Sequence, residues 1–243
     1  LNENVPGALA IGGMAAASGR AGTSRLLLDD QVHGQGAVGA RLDGARVDLL
    51  VSQGCRPIGS PFTVTRAEGN VILELGGRPP FQRLQDLVGS LSEVDRQLLA
   101  DGGLHVGLVI DEYRAEQRRG DFLVRSVVGA DPATGAIAVG GEVELGQTAQ
   151  FHVRDASSAD EDLREALERE VADLGSEEAA GALLFTCNGR GSRLFSEMDH
   201  DARLLAKLLG DKPAAGFFCA GEIGPVGRKN FLHGFTASAA VFR

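Results

Sequence analysis

The sequence predicts an α+β protein in which mixed sheets of antiparallel hairpins end in a C-terminal β-α-β unit, with helices packed on the sheet. Three observations predict this fold. Short apolar runs separated by turn residues recur along the chain, one strongly periodic helix spans 158–174, and two apolar runs near the C-terminus flank another helical segment. A hydrophobic fraction of 43%, with 23% charged residues, is that of a folded globular chain.

The N-terminal part of the chain is predicted to form a meander of short strands. Apolar runs separated by glycine- and aspartate-containing turns are typical of such strands, and they occur at 8–13, 26–28, 36–42 and 47–52. The small-residue tract at 14–22 is predicted to be a loop. The Gly12-Gly13 pair lacks the GxGxxG spacing of a dinucleotide site, so a tight turn is the better interpretation.

The middle of the chain continues this pattern of strands and turns. Alternating runs at 62–65 and 71–75 predict a hairpin around Gly69. Ser92 is a typical N-cap for a short helix that a glycine pair ends. The charged run at 111–121 is interpreted as a solvated loop. The other elements predicted here are a helix at 84–88 and strands at 104–110, 122–128, 137–139 and 150–154.

The C-terminal part predicts the β-α-β unit. Strand-like runs at 182–186 and 214–219 flank a segment at 200–209 that has helical periodicity. If the two strands are parallel neighbours, the turns that follow them emerge at the same edge of the sheet, where open α/β sheets bind ligands. A last strand is predicted at 231–242.

The turns that follow these two strands carry opposite charges. After the first strand, Arg190 lies between two glycines whose exposed N–H groups suit a carboxylate or phosphate. After the second, Glu222 offers a carboxylate to an ammonium group. We therefore expect a site for a zwitterion such as an amino acid; the alternative is that the two side chains pair with each other or cap backbone groups. The candidate ligand-binding residues are Cys187, Asn188, Gly189, Arg190, Gly191, Cys219, Gly221, Glu222, Asn230 and Thr236.

Charge and composition count against several classes of function. A net charge of -9 and a pI near 5.1 argue against a surface that binds the phosphate backbone of nucleic acid, so no nucleic-acid partner is expected. No apolar run approaches the ~20 residues that cross a bilayer, so we expect a cytoplasmic protein without a membrane partner. The histidines show no i, i+4 pair and the 3 cysteines are dispersed, so neither a metal nor a cofactor is expected.

A thiol enzyme is the catalytic alternative, and we do not expect it. Cys187 and Cys219 end equivalent strands, where packing is the usual role of a free cysteine. A nucleophilic Cys187 would need a lowered pKa and a base such as His233 or His200. Nothing like the Gly-x-Ser-x-Gly elbow of hydrolases surrounds Ser192. The sequence therefore predicts a protein that is not an enzyme.

Three motifs stand out in the C-terminal part: LFTCNGRG at 184–191, GFFCAGEIGP at 216–225 and NFLHGFT at 230–236. Together they resemble the FIST family, a family of sensory domains named for F-box and intracellular signal transduction proteins. The motif GCRPIG at 54–59 is similar to the end of the FIST N domain. The resemblance implies a C-terminal remnant of the FIST N domain at 1–60 and a complete FIST C domain at 61–243. It also implies on the order of a hundred residues or more of the N domain before residue 1.

The resemblance implies a function as well as a fold. The family is one of small-ligand sensors, for which amino acids are proposed ligands. Its members associate with signalling modules or, in eukaryotic relatives, act as F-box adaptors. We therefore expect a small-molecule ligand, such as an amino acid or another small carboxylate, and a signalling protein partner. A protein-interaction adaptor that binds no small ligand is the alternative.

Overall fold

The computed structural model describes residues 1–15, 23–113, 117 and 120–243. The fold is mixed α+β, as the sequence predicts. It divides into two compact units, of which the first combines Leu1–Ser52 with Glu161–Arg243 and the second is Gln53–Asp160. Apart from its first two residues, the loop predicted at 14–22 lies outside the described residues, and so does much of the charged run at 111–121.

The described elements are short strands with a few helices between them. The strands are, in order, β1 (Gly12–Ala15), β2 (Leu26–Leu28), β3 (Gln31–His33), β4 (Val47–Gln53), β5 (Cys55–Pro57), β6 (Phe62–Glu68), β7 (Val71–Leu75), β8 (Leu104–Val109), β9 (Phe122–Asp131), β10 (Ala136–Val139), β11 (Thr148–Arg154), β12 (Gly181–Cys187), β13 (Ala214–Val226), β14 (Lys229–His233) and β15 (Thr236–Phe242). The helices are α1 (Pro80–Val88), α2 (Glu93–Ala100), α3 (Ala156–Leu174) and α4 (His200–Leu209).

The first unit is organised around a mixed sheet with the strand order β1-β13-β12-β15-β4, in which β14 also pairs with β13. Strands β12 and β13 are parallel neighbours, from Ala182 opposite Ala214 to Cys187 opposite Cys219. Strand β15 is antiparallel to β12 on its other side. Because α4 connects β12 to β13, the β-α-β unit predicted from the sequence is confirmed.

Helices α3 and α4 cover one face of this sheet. Alternate residues of β12, beginning with Ala182 and Leu184, point to that face because side chains alternate along a strand. Leucines at helical spacing, such as Leu163 and Leu167 of α3, meet them in one buried cluster. Each fully buried leucine contributes about 1.5–3 kcal/mol to folding relative to an exposed one. The apolar stripes of the helices therefore hold them on the sheet.

The second unit is a sheet that closes on itself. Antiparallel pairings run from β11 through β6, β7, β10, β9 and β8, and β8 pairs back onto β11. Its enclosed core includes Val64, Ile72, Val106 and Phe151, all of them buried. The Ser92 hydroxyl accepts a hydrogen bond from the backbone N–H of Asp95 at 3.1 Å, so the predicted N-cap of α2 is confirmed.

Several predicted boundaries are wrong. The apolar run at 36–42 forms no strand, because its large side chains Val38 and Leu42 stay exposed and have no core to pack against. The first strand begins at Gly12 rather than at residue 8. The last predicted strand is two strands, since Phe235 adopts a positive φ of 62° and breaks the extended backbone.

Strand β13 is also longer than predicted. The sequence predicts that it ends at residue 219 and that a turn follows at Gly221, but the strand continues to Val226. Strands β1 and β14 pair with this continuation on either side. Gly13 of β1 and His233 of β14 both lie opposite Glu222. Glu222 is thus a strand residue. None of the helices in the described part of the chain has the length and apolar composition needed to cross a membrane.

Candidate functional site

The turn after β12 folds back on the strand ends. The backbone N–H of Arg190 donates to the carbonyl of Cys187 at 2.8 Å, and that of Asn188 donates to the carbonyl of Cys219 at 2.7 Å. Gly191 has a φ of 58°, and a Cβ placed there would lie 3.1 Å from the Phe218 ring. The turn therefore needs glycine at this position for both conformation and space.

The Arg190 side chain is buried and forms an ion pair with Asp201 of α4. Its Nε and Nη2 donate to the two carboxylate oxygens at 2.7 and 2.8 Å. The Thr186 hydroxyl donates to the same carboxylate at 2.6 Å, and His200 Nδ1 lies 3.0 Å from it. Burial alone would raise the pKa of Asp201, but hydrogen bonds from Arg190, His200 and Thr186 outweigh it and hold that pKa well below its usual range.

Aromatic contacts hold the same network in place. The Arg190 guanidinium carbon lies 5.2 Å from the centroid of the Phe195 ring, within the range of a cation–π contact. Phe195 in turn stacks on His200, with centroids 3.6 Å apart. Arg190 thus connects the turn to the N-terminus of α4. It does not present the free guanidinium that the sequence analysis expected to bind a ligand carboxylate.

Glu222 lies in a second buried polar group, away from solvent. Its Oε2 accepts hydrogen bonds from the Thr236 backbone N–H at 3.2 Å and from the Thr236 hydroxyl at 2.8 Å. Within the described part of the chain, its Oε1 has no hydrogen-bond partner. Burial raises the pKa of Glu222 to about 7, against the opposing effects of the Thr236 hydrogen bonds, the nearby Cys187 thiol and the charge of Arg190. The carboxyl is therefore poised to gain or lose a proton near neutral pH.

The two strand-end cysteines lie beside Glu222. Cys187 and Cys219 are opposite each other in the parallel pairing, and both are buried free thiols. Burial, followed by the charge of Glu222, raises the pKa of Cys187 and raises that of Cys219 to about 12. A Cβ at Gly13 would lie 2.0 Å from the Cys219 sulfur, so that thiol is tightly enclosed. This environment disfavours the thiolate that nucleophilic catalysis requires.

A cavity of about 240 Å³ lies between α4 and the strands β12 and β13. Most of its wall is apolar, and the polar side chains come from Thr186 and from the start of α4. Through Thr186 and Asp201, the wall is hydrogen-bonded to Arg190. The lining residues are Leu184, Thr186, Gly191, Asp199, His200, Asp201, Ala202, Leu205, Ala214, Ala215, Gly216, Phe217 and Phe218.

The candidate residues from the sequence fall into separate places. Of them, only Gly191 lines the cavity. Asn188, Gly189 and Arg190 form the turn beside it, whereas Cys187, Cys219, Gly221 and Thr236 lie in or next to the buried group around Glu222. The Asn230 side chain instead fastens the N-terminal segment, donating to the carbonyl of Ala8 and accepting from the N–H of Ala10, each at 2.7 Å.

Sequence reasoning missed Thr186, Asp199 and Asp201, and it considered His200 only as a base for a nucleophilic Cys187. One signal could have identified Asp201, because it precedes Leu204, Leu205 and Leu208 at spacings of 3, 4 and 7 and so lies on the buried stripe of α4. A carboxylate on an apolar helical stripe needs a buried partner. Arg190 is the partner that the fold supplies.

Comparisons with known proteins agree with the resemblance that the three C-terminal motifs indicate. A family model described as the FIST C domain matches residues 80–225, and one described as the FIST N domain matches residues 1–78. The chain is 54% identical over 242 residues to an uncharacterized protein of Mycobacterium tuberculosis, covering 100% of this chain and 63% of the relative. It is 53% identical over 241 residues to one of Mycobacterium bovis, covering 99% of this chain and 62% of the relative. The chain thus spans less than two thirds of these relatives.

The domain limits can be compared with these matches. The N-domain match extends past residue 60 and ends at 78, and the compact units of the fold change at residues 52 and 160. The boundary near residue 60 stays a prediction.

Proposed function

The chain belongs to the FIST family, and from that premise we propose that it is a cytoplasmic small-ligand-binding sensory domain of intracellular signal transduction. Its ligand in this proposal is an organic metabolite about the size of an amino acid. The ligand is held in the cavity between α4 and the β12–β13 pair. The observation that carries the proposal is this cavity, which lies beside the family's signature motifs.

The cavity suits a ligand better than the Arg190 turn does. Arg190 is already bound by Asp201 through two hydrogen bonds, so a ligand carboxylate would have to displace a buried partner. The cavity instead combines a mainly apolar wall with a few polar groups, the usual composition of a small-molecule site. Its volume of about 240 Å³ lies just below the ~300–1,000 Å³ of typical ligand pockets, which favours a small metabolite.

The hydrogen bonds behind the wall offer a route for a signal. A ligand that contacts Thr186 or Asp201 would act on the same carboxylate that holds Arg190. Because that arginine anchors the turn after β12, ligand binding would change the conformation of the chain at the end of the parallel strands. A signalling protein partner would then respond to the conformation of this edge.

Thermal-shift measurements and calorimetry on the protein, against a panel of amino acids and other small metabolites, test the proposal. A ligand at 100 times its Kd is expected to add about 2.7 kcal/mol of stability. Ala202→Phe places a ring in the cavity and is expected to abolish that response. Ala172→Phe on α3 is the matched control, because it is also an exposed helical alanine but lies outside the lining.

The outcomes separate the site from the function. If the ligand still binds Ala202→Phe as it binds the parent protein, the cavity is not the site. If no metabolite in the panel stabilises the parent protein, the sensor proposal fails.

A protein-interaction adaptor is the second candidate, and one observation favours it. Phe217 and Phe218 are adjacent on β13 and leave 44% and 50% of their surface exposed. Exposed aromatic side chains are frequent anchors of protein interfaces, and consecutive strand residues present one such ring on each face of the sheet. The adaptor is supported if no metabolite binds and Phe218→Ser abolishes binding to a signalling partner.

We do not propose an enzyme. The thiol alternative would require Cys187 to ionise readily, and the raised pKa of that group speaks against it.

A further inference from the structure

We propose that the cavity beside α4 selects a cationic amine with an apolar body, rather than a carboxylate or phosphate. This inference deepens the proposed ligand-binding function and rests on it. The ionisable side chains on the wall are Asp199, His200 and Asp201, and neither lysine nor arginine occurs among the described lining residues. An anionic ligand would therefore enter a cavity that offers it no cationic side chain other than a protonated histidine.

Asp199 is the group that would bind the amine. It occupies the N-cap position of α4 with a positive φ of 57°, yet its side chain makes no capping hydrogen bond. Within the residues that the structure describes, its carboxylate forms no ion pair or hydrogen bond, and it is exposed at the cavity wall. Asp201 differs, because Arg190 already balances its charge. Asp199 thus places on the wall a negative charge that has no ion-pair partner among the described residues.

The helix N-terminus does not reverse this preference. The partial positive charge at the start of α4 would attract an anion if no acidic side chain were near. Asp199 and Asp201 both lie at this end and already complement the dipole. A ligand carboxylate would have to compete with two fixed carboxylates, whereas an ammonium group is attracted by Asp199.

The rest of the wall accommodates an apolar body. Leu184, Leu205 and Ala215 contribute apolar surface, and the Phe218 ring packs against Gly191 at the cavity. An aromatic ring can stack on a ligand or face its ammonium group. The net charge of -9 also favours the approach of a cation over that of an anion.

The test uses three probes that share an aromatic body and differ in charge: 2-phenylethylamine, phenylalanine and 3-phenylpropionate. Their affinities for the protein are measured by calorimetry at neutral pH and low ionic strength. We expect the amine to bind at least about tenfold more tightly than the acid, with phenylalanine between them.

Asp199→Asn is the decisive variant. Asparagine tolerates positive φ and can serve as an N-cap, so the change removes the charge and keeps the backbone. We expect it to weaken amine binding about two- to fivefold, the effect of losing one exposed ion pair, and to leave binding of the acid unchanged or improved. Glu197→Gln is the matched control, because it removes an exposed carboxylate close in sequence but outside the cavity lining, and it should leave the affinities unchanged.

Each result bears on one of the two proposals. If 3-phenylpropionate binds as tightly as the amine, or if Asp199→Asn binds the amine like the parent protein, the amine inference is overturned and the cavity remains a ligand site. If none of the three probes binds, the inference is tested on whichever metabolite of the panel binds. A bound metabolite that has no cationic amine overturns the inference. If no metabolite binds at all, the sensor proposal and the amine inference fall together.

Discussion

Arg190 donates two hydrogen bonds to Asp201, at 2.7 and 2.8 Å, and almost no surface of either residue is exposed. This pair joins the turn after β12 to the first turn of α4. It also explains why the arginine that follows β12 is not available to a ligand. The remaining nitrogen, Nη1, has no hydrogen-bond partner within the described chain, so the guanidinium depends on Asp201 to stay buried.

We expect Asp201→Asn to lower the free energy of unfolding by about 3–5 kcal/mol, because it leaves the buried guanidinium without a counter-charge. Urea denaturation at neutral pH measures the change. The control is the double variant Arg190→Met with Asp201→Leu, which removes both charges and should be less destabilised than Asp201→Asn alone. A loss of stability below about 1 kcal/mol in Asp201→Asn would show that the pair contributes no more than a solvent-exposed ion pair does.

The sequence predicted the strand pair that carries Arg190 but not the arrangement of the side chains around it. The alternating apolar runs and the intervening helix predicted the parallel pair β12 and β13, and with it the position of Arg190 at a strand end. The partner of Arg190 could not be predicted from local pattern. Its pairing with Asp201, 11 residues later, depends on α4 returning its N-terminus to that edge.

Glu222→Gln is expected to flatten the pH dependence of stability. The folded pKa is about 7, raised mainly by burial above the ordinary value of 4.5. Between these values the folded state holds a proton that the unfolded state releases, so stability falls as pH rises from 4.5 through 7. The free energy of unfolding is expected to be about 3 kcal/mol lower well above pH 7 than below pH 4.5, where this group costs no stability.

Denaturation of the parent protein and of Glu222→Gln at several pH values between 4.5 and 8 measures this effect. Glu168→Gln is the control, since that glutamate is exposed on α3 and should leave the pH dependence unchanged. Parallel stability curves for the parent protein and Glu222→Gln would contradict a raised pKa at Glu222.

Gly107→Ala is expected to destabilise the second unit by about 1–3 kcal/mol through overpacking. A Cβ at Gly107 would lie 2.3 Å from the ring of the buried His152, on the neighbouring strand β11. Gly129→Ala on β9 is the matched control, because its Cβ would meet only the Ala138 methyl at 3.9 Å. Urea denaturation should place the first variant below the parent protein and the second at or above it. Equal stability of the two variants would mean that His152 moves aside without cost.

Long-range closure explains most of what the sequence could not predict about the fold. The hairpin of β6 and β7 and the cap at Ser92 are local features, and the pattern identified both. The pairing of β8 with β11, from Ala149 opposite Leu108 to Val153 opposite Leu104, closes the second sheet between distant parts of the chain, and no local signal marks it. In the same way, β13 continues past its predicted turn only because β1 and β14, from distant and later parts of the chain, pair with its second half.

The cysteines are expected to resist alkylation in the folded protein. All three are buried, and burial raises the pKa of Cys187 and raises that of Cys219 to about 12, far above the ~8.5 of a free thiol. We therefore expect iodoacetamide to label the native protein at least about tenfold more slowly than the urea-unfolded protein at pH 8, because the thiolate is the reactive form. Mass spectrometry of digests followed over time measures the rate at each cysteine. Cys55, which is buried in the other unit, is the internal comparison. If Cys187 alone were labelled as fast as in the unfolded protein, the thiol would be activated, and a catalytic role at this strand end would regain support.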